Sequence, residues 1–150
     1  MKNILFVFGT RPEAIKMAPV IKLFKDHNNI FNTKIAVTAQ HRQMLDQVLN
    51  VFDILPDYDL NLMSDNQTLD KLTGKILYRI SSILDNELID LLFVQGDTTT
   101  TFAASLAAFY KKVPIAHIEA GLRTNNIHSP FPEESNRRMT TSIATYHFPP

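Results

Sequence analysis

An α/β fold, an open parallel sheet with helices on its faces, is what the sequence predicts, and three observations carry the prediction. Continuous apolar runs recur, as at 4–8 (Ile-Leu-Phe-Val-Phe) and 91–94 (Leu-Leu-Phe-Val). A strand buried on both faces needs that pattern rather than strict alternation. Between the runs, apolar residues return at three- and four-residue spacing, the period of a helix. Glycine is scarce, four residues in 150, and three of them, Gly9, Gly96 and Gly121, fall just past the ends of expected strands.

The elements follow in order. The run 4–8 is the first strand. Gly9-Thr10 turns the chain, and a helix starts near Pro12, with Thr10 and Glu13 at capping-box spacing. Pro19 is expected to kink that helix or end it early. Residues 34–38 predict the second strand, 43–51 the second helix and 59–62 a short third strand. Leu72, Ile76, Ile80, Ile83 and Leu84 place an amphipathic helix over 67–85. A strand at 91–95 leads to a helix at 98–110, with Phe102, Leu106 and Phe109 on one face. A strand at 114–118, a loop at 121–132, a helix at 133–144 and an opening strand at 146–148 complete the series. Strands alternating with helices argue for a Rossmann-like sheet.

Composition narrows the function. A chain of 150 residues fits one domain, and one of that size buries about 68–70% of its unfolded surface. Apolar residues make up 45% and charged residues 20%, with 15 acids balanced by 15 bases. That balance gives no basic face for nucleic acid or an anionic membrane. No cysteine is present, which excludes a disulfide framework, a thiolate metal site and a cysteine nucleophile. The five-residue apolar run near the start is too short for a signal segment or a membrane span, so the expected compartment is the cytoplasm. The chain stops at Pro149-Pro150, directly after a strand signal, which suggests a fragment of something longer.

Chemistry concentrates around the three glycines, on the sheet edge where open parallel sheets bind ligands. Gly9 precedes Arg11, Glu13 and Lys16; Gly96 precedes Asp97; Glu119 precedes Gly121, and Arg123 follows it. Two bases, Arg11 and Lys16, and two acids, Asp97 and Glu119, therefore converge on one edge. The first turn, Gly-Thr-Arg-Pro-Glu-Ala, matches neither the dinucleotide fingerprint nor the P-loop. Arg11 and Lys16 beside a helix start suit a phosphate or pyrophosphate; Lys16 on a solvated face is the plainer alternative. Glu13 reads as a helix cap. Asp97 is a helix cap or an acid–base group. The four threonines at 98–101 fit caps or ligand contacts better than a helix interior. Of Glu133 and Glu134, both of which complement the helix dipole, at most one is catalytic. The five histidines lack metal-ligand spacing, so they are expected to face solvent or make hydrogen bonds, and no metal is expected.

At these residues the sequence resembles a known family, the non-hydrolysing UDP-N-acetylglucosamine 2-epimerases. Five blocks match in order: 9–19 (Gly-Thr-Arg-Pro-Glu-Ala-Ile-Lys-Met-Ala-Pro), 40–45 (Gln-His-Arg-Gln-Met-Leu), 96–101 (Gly-Asp-Thr-Thr-Thr-Thr), 118–124 (Ile-Glu-Ala-Gly-Leu-Arg-Thr) and 132–137 (Pro-Glu-Glu-Ser-Asn-Arg). The resemblance implies the N-terminal lobe of a two-lobed glycosyltransferase-B type fold, with the second, UDP-binding lobe absent from this chain. It implies interconversion of UDP-GlcNAc and UDP-ManNAc by elimination of UDP to a 2-acetamidoglucal and re-addition, without NAD or metal. Asp97, Glu119 and Glu133 match the family's acid–base residues, with no assignment of face to any one of them. Arg11 and Lys16 match its substrate-binding cations. Gln40, His41 and Gln43 match residues that help bind an activating second UDP-GlcNAc in some members. There the sequence departs, because Asn66 stands where those members carry an arginine. The resemblance further implies a homodimer at full length, and a histidine and uridine contacts from the absent lobe. Two other readings stay open: a glycosyltransferase N-terminal lobe, and a non-catalytic truncated remnant.

Overall fold

The structure is a computed structural model and describes residues 1–39 and 42–150. Its elements run β1 (Lys2–Phe8), α1 (Arg11–Asp26), β2 (Phe31–Val37), α2 (Arg42–Val51), β3 (Tyr58–Asp59), α3 (Leu69–Asn86), β4 (Leu91–Gln95), α4 (Thr99–Tyr110), β5 (Ile115–Ile118), α5 (Glu133–Ile143) and β6 (Tyr146–Phe148). The six strands are parallel, in the order β3-β2-β1-β4-β5-β6. This is the doubly wound Rossmann order. The direction of winding reverses between β1 and β4, and ligands bind such sheets outside the carboxyl ends of the strands at that switch point.

Alternation along β1 explains its unbroken apolar run. Ile4, Phe6 and Phe8 face one core, with Met17, Ile21, Leu45 and Val48 from α1 and α2. Leu5 and Val7 face the other, with Ile76, Ile80, Ala103 and Ala107 from α3 and α4. Each fully buried side chain of this size contributes about 1.5–3 kcal/mol relative to exposure. In the first core Phe6 stacks on Phe93 at 4.7 Å between centroids, and Phe24 meets both rings edge-on.

Three elements differ from the sequence reading. The helix α1 does not stop at Pro19; it continues to Asp26 with Pro19 in its interior. Pro19 lies on the exposed face, where water can satisfy the carbonyl it leaves unpaired, while Met17, Ala18 and Ile21 anchor the helix beneath. That burial offsets the roughly 3 kcal/mol an interior proline costs. The third strand is shorter and earlier than 59–62, because Asn61 takes φ 46° and breaks the ladder. Leu60 and Leu62 nonetheless donate to the carbonyls of Val37 and Thr38, at 2.9 and 3.0 Å, and bury their side chains. In α4 the core face is not the Phe102, Leu106, Phe109 stripe. Ala103, Ala104, Ala107 and Ala108 are fully buried, and Phe109 is half exposed. Small side chains let α4 lie close to the sheet and α3, and the large ones are displaced outward.

Candidate active site

The β1–α1 turn is built around a buried carboxylate. Glu13 is 2% exposed and accepts from the Gly9 N–H at 3.0 Å, the Thr10 N–H at 2.7 Å and the Thr10 hydroxyl at 2.7 Å. Its other oxygen accepts from the Thr98 hydroxyl at 2.7 Å. Glu13 thus caps α1, as its spacing suggests, and also ties that turn to the start of α4 across the switch point. Burial pushes this carboxyl up, and the hydrogen bonds from Thr10, Thr98 and Gly9 pull against it. Gly9 is needed where it sits: a Cβ there would lie 2.0 Å from the Thr38 hydroxyl, which itself bonds Thr100 at 2.9 Å. Three of the four threonines, Thr98, Thr100 and Thr101, are therefore occupied internally. Thr98 caps α4 by accepting from the Thr101 N–H at 3.1 Å, and Thr101 donates to the Gln95 carbonyl at 2.7 Å.

Asp97 and Glu119 stand beyond the ends of β4 and β5. Glu119 takes φ 63°, a left-handed conformation that costs a side-chain-bearing residue about 1–2 kcal/mol. Its carboxylate is paired with the Lys16 ammonium from the second turn of α1. Lys16 is therefore on the acidic edge and not simply solvated. Asp97 is half buried, and burial pushes its carboxyl above the ordinary value. Arg137 pulls it back, Glu133 and Glu119 push it up, and Lys16 pulls it down. Those four charges all reach Asp97, so α1, β5 and α5 converge on it. A carboxyl set between a cation and neighbouring carboxylates, with its pKa raised, has the perturbed environment that marks a candidate for proton transfer. Arg11, the first residue of α1, is exposed at the same edge.

The two acids at the start of α5 divide. Glu134 has no exposed surface; it accepts from the Thr124 N–H at 3.2 Å and from Arg138 at 2.9 Å, and it faces Arg137 at 3.4 Å. It organises the loop and helix. Glu133 is partly exposed and lies within electrostatic reach of Asp97. Two contributors escaped the sequence reading. Arg137 pairs with Asp97 at 3.1 Å. His117, completely buried in β5, bonds the Gly96 carbonyl at 2.7 Å through Nε2, and burial pulls its ring below the ordinary histidine value. The sequence signal for Arg137 was its spacing of three residues from Glu134; for His117 it was a polar residue inside an apolar strand. Arg123 is exposed and bonds Leu122 and Thr141, away from the acids.

Of the residues matched to an activator site, Gln40 and His41 lie outside the described residues. Gln43 is exposed at the start of α2, and Asn66 is exposed with φ 57°.

A family model described as UDP-N-acetylglucosamine 2-epimerase matches residues 24–150. A UDP-N-acetylglucosamine 2-epimerase of Neisseria meningitidis serogroup A is 58% identical over 148 residues, 99% of this chain and 40% of that protein. The crystal structure of the Neisseria meningitidis UDP-GlcNAc 2-epimerase bound to UDP-GlcNAc superposes with a TM-score of 0.94 at 56% identity, covering 98% of this chain and 39% of that one. The Methanocaldococcus jannaschii enzyme in complex with UDP-GlcNAc and UDP gives 0.91 at 36% identity, covering 99% and 40%. The chain spans about 40% of the length of these relatives. By family model, identity and fold alike, the chain belongs to the UDP-N-acetylglucosamine 2-epimerase family.

Proposed function

We propose that this chain is the N-terminal, acid-bearing lobe of an enzyme that interconverts UDP-GlcNAc and UDP-ManNAc, with a second lobe supplying the rest of a cleft. The observation that carries the reading is the gathering of Asp97, Glu119 and Glu133 with Lys16 outside the carboxyl ends of β4 and β5, at the switch point. Relatives solved with UDP-GlcNAc support the ligand class.

Inverting C2 of this sugar is hard because its proton is not next to a carbonyl. Elimination solves the problem. A carboxylate takes the C2 proton, the C–H electron pair becomes the C1–C2 double bond, and the anomeric C–O pair leaves with UDP. In the return step an acid delivers a proton to the other face of C2 while a UDP oxygen re-forms the bond to C1. Two carboxyl groups on opposite faces are needed, and three are at hand. Charge grows on the departing diphosphate, and Arg11 and Lys16 at the α1 end of the edge are the cations for it. For Lys16 this means sharing its ammonium between Glu119 and the leaving group. Gln43, with Gln40 and His41, is proposed to contribute to an activator site that lacks the arginine charge at Asn66.

A homodimer at full length is proposed, and the exposed rings of Phe109 and Tyr110 at the end of α4 favour it. The proposed setting is the cytoplasm; no described helix is long and apolar enough to cross a membrane.

The test is to incubate the full-length protein with UDP-GlcNAc in deuterated water. Deuterium entering C2 together with UDP-ManNAc is expected; sugar transfer with no exchange at C2 points to a glycosyltransferase instead. The 150-residue chain alone is expected to show neither product nor exchange, since displacing a substrate by about 1 Å costs roughly 10²-fold. Turnover by the isolated chain overturns the two-lobe part of the reading.

A further inference from the structure

We propose that Arg137 is a positioning residue for proton transfer: its guanidinium fixes the Asp97 carboxylate in one orientation, and buried Glu134 fixes the guanidinium. The inference rests on the proposed epimerase reading for its kinetic consequences, but not for its geometry.

The argument begins with the cost of the arrangement. Arg137 is 9% exposed, and a charge so buried is retained only when paired. It has two partners, one at Nη2 and one at Nε. Nη2 lies 3.1 Å from Asp97 Oδ2, and Nε lies 3.4 Å from Glu134 Oε2. Both contacts are ionic without being hydrogen bonds, and Nε has no hydrogen-bond partner. An arginine serving only to hold α5 together would spend its fork on Glu134, which already has Arg138 and the Thr124 N–H. Here the terminal nitrogen Nη2 is turned toward Asp97.

The rest of the Asp97 segment is held as well. Asn136, the neighbour of Arg137 on α5, donates from Nδ2 to the Asp97 carbonyl at 3.0 Å. His117 holds the preceding Gly96 carbonyl from β5 at 2.7 Å, and Gly96 takes φ 77°. Backbone and side chain of Asp97 are thus fixed from two elements. The charged groups that reach its carboxylate are Arg137 and Glu133 from α5, Glu119 from the end of β5 and Lys16 from α1. Lys16 is already paired with Glu119, so Arg137 is the cation that Asp97 itself touches.

Lysine keeps the charge but not the planar fork, so Arg137→Lys separates orientation from neutralisation. In the full-length protein, Arg137→Lys is expected to slow deuterium entry into C2 by about 10–10²-fold, the lower part of the range for a displaced acid or base, with KM within about threefold. Arg137→Gln is expected to raise the pH midpoint of the Asp97 carboxyl, followed by carbon NMR, by about one unit, as loss of an adjacent opposite charge should. The limb of the pH–rate profile that follows Asp97 ionisation should move up with it. In an Asp97→Asn background, Arg137→Lys should add no further kinetic loss. An Asp97 titration indifferent to Arg137→Gln overturns the proposal, whatever reaction the protein performs. So does an equal kinetic loss from Arg137→Lys in both backgrounds, which marks a merely structural arginine and remains readable even if the variants are less stable. Failure of the parent protein to exchange C2 hydrogen instead counts against the epimerase reading and leaves the titration as the test of Arg137.

Discussion

Glu13 and Asp97 occupy equivalent places, each just beyond the end of a strand flanking the switch point, and the protein treats them in opposite ways. Glu13 is sealed, and every donor it meets is a neutral N–H or hydroxyl from its own turn or the start of α4. Asp97 is half open, and what surrounds it is charge. Neutral donors hold a carboxylate in place and commit its lone pairs. A single cation on one oxygen orients a carboxylate and leaves the other oxygen free to move a proton. The two environments distinguish a residue that builds the edge from one that is proposed to work on it.

The largest effect that tests this contrast is kinetic. In the full-length protein, Asp97→Asn, Glu119→Gln and Glu133→Gln are each expected to lower turnover by about 10²-fold or more, with little change in unfolding midpoint. A variant that keeps near-normal turnover moves its residue to the Glu13 side of the comparison. Next comes stability. Glu13→Ala strips the acceptor from four donors, and at about 1–3 kcal/mol for each buried group left unsatisfied it should cost at least about 4 kcal/mol. Denaturant titration measures it, and a loss under about 1 kcal/mol shows that water replaces the carboxylate. Gly9→Ala should cost about 1–3 kcal/mol, because its methyl meets the buried Thr38 hydroxyl and must push it off Thr100. The pair Gly9→Ala and Thr38→Ser should leave that cost unchanged, since serine keeps the oxygen that clashes; full recovery would move the clash elsewhere.

The smallest effect concerns pH. His117 is held neutral, its pKa lowered from 6.5, chiefly by burial. In the unfolded chain it protonates as pH falls through about 6.5, while in the fold it resists, so its share of stability is present above that pH and is lost below it. His117→Gln, which keeps a donor for the Gly96 carbonyl, should flatten the fall in thermal midpoint between pH 6.5 and 5. An unchanged slope would place the titration on other groups.

Much of this was legible in the residues. Buried strands announced themselves through unbroken apolar runs, and the acids beyond Gly96 and Ile118 through the register of strand ends. What was hidden depended on packing across long separations. The alanines that form the core face of α4 are poor in apolar area, so the larger Phe102 and Leu106 drew the eye, and only the closeness of α3 reveals why small side chains were needed. Pro19 looked like a stop because its cost is local while the burial that outweighs it is not. Glu13 read as a cap because one partner, Thr10, is three residues away; Thr98 is 85 residues away. Arg137 carried no sign of Asp97, forty positions earlier in the chain and adjacent only once β4 and α5 are in place.

The Glu13 carboxylate has a mechanical consequence. Because one rigid group grips both Thr10 and Thr98, the two turns beside the switch point form a single plate rather than two independent loops. Arg11 rides on one end of that plate and Asp97 on the other. A shift of the Arg11 backbone by a few tenths of an ångström must either carry Thr98, and with it the neighbour of Asp97, or stretch a hydrogen bond of 2.7 Å. In the proposed reaction, grip on the leaving group and alignment of the proton-transfer group would be parts of the same displacement.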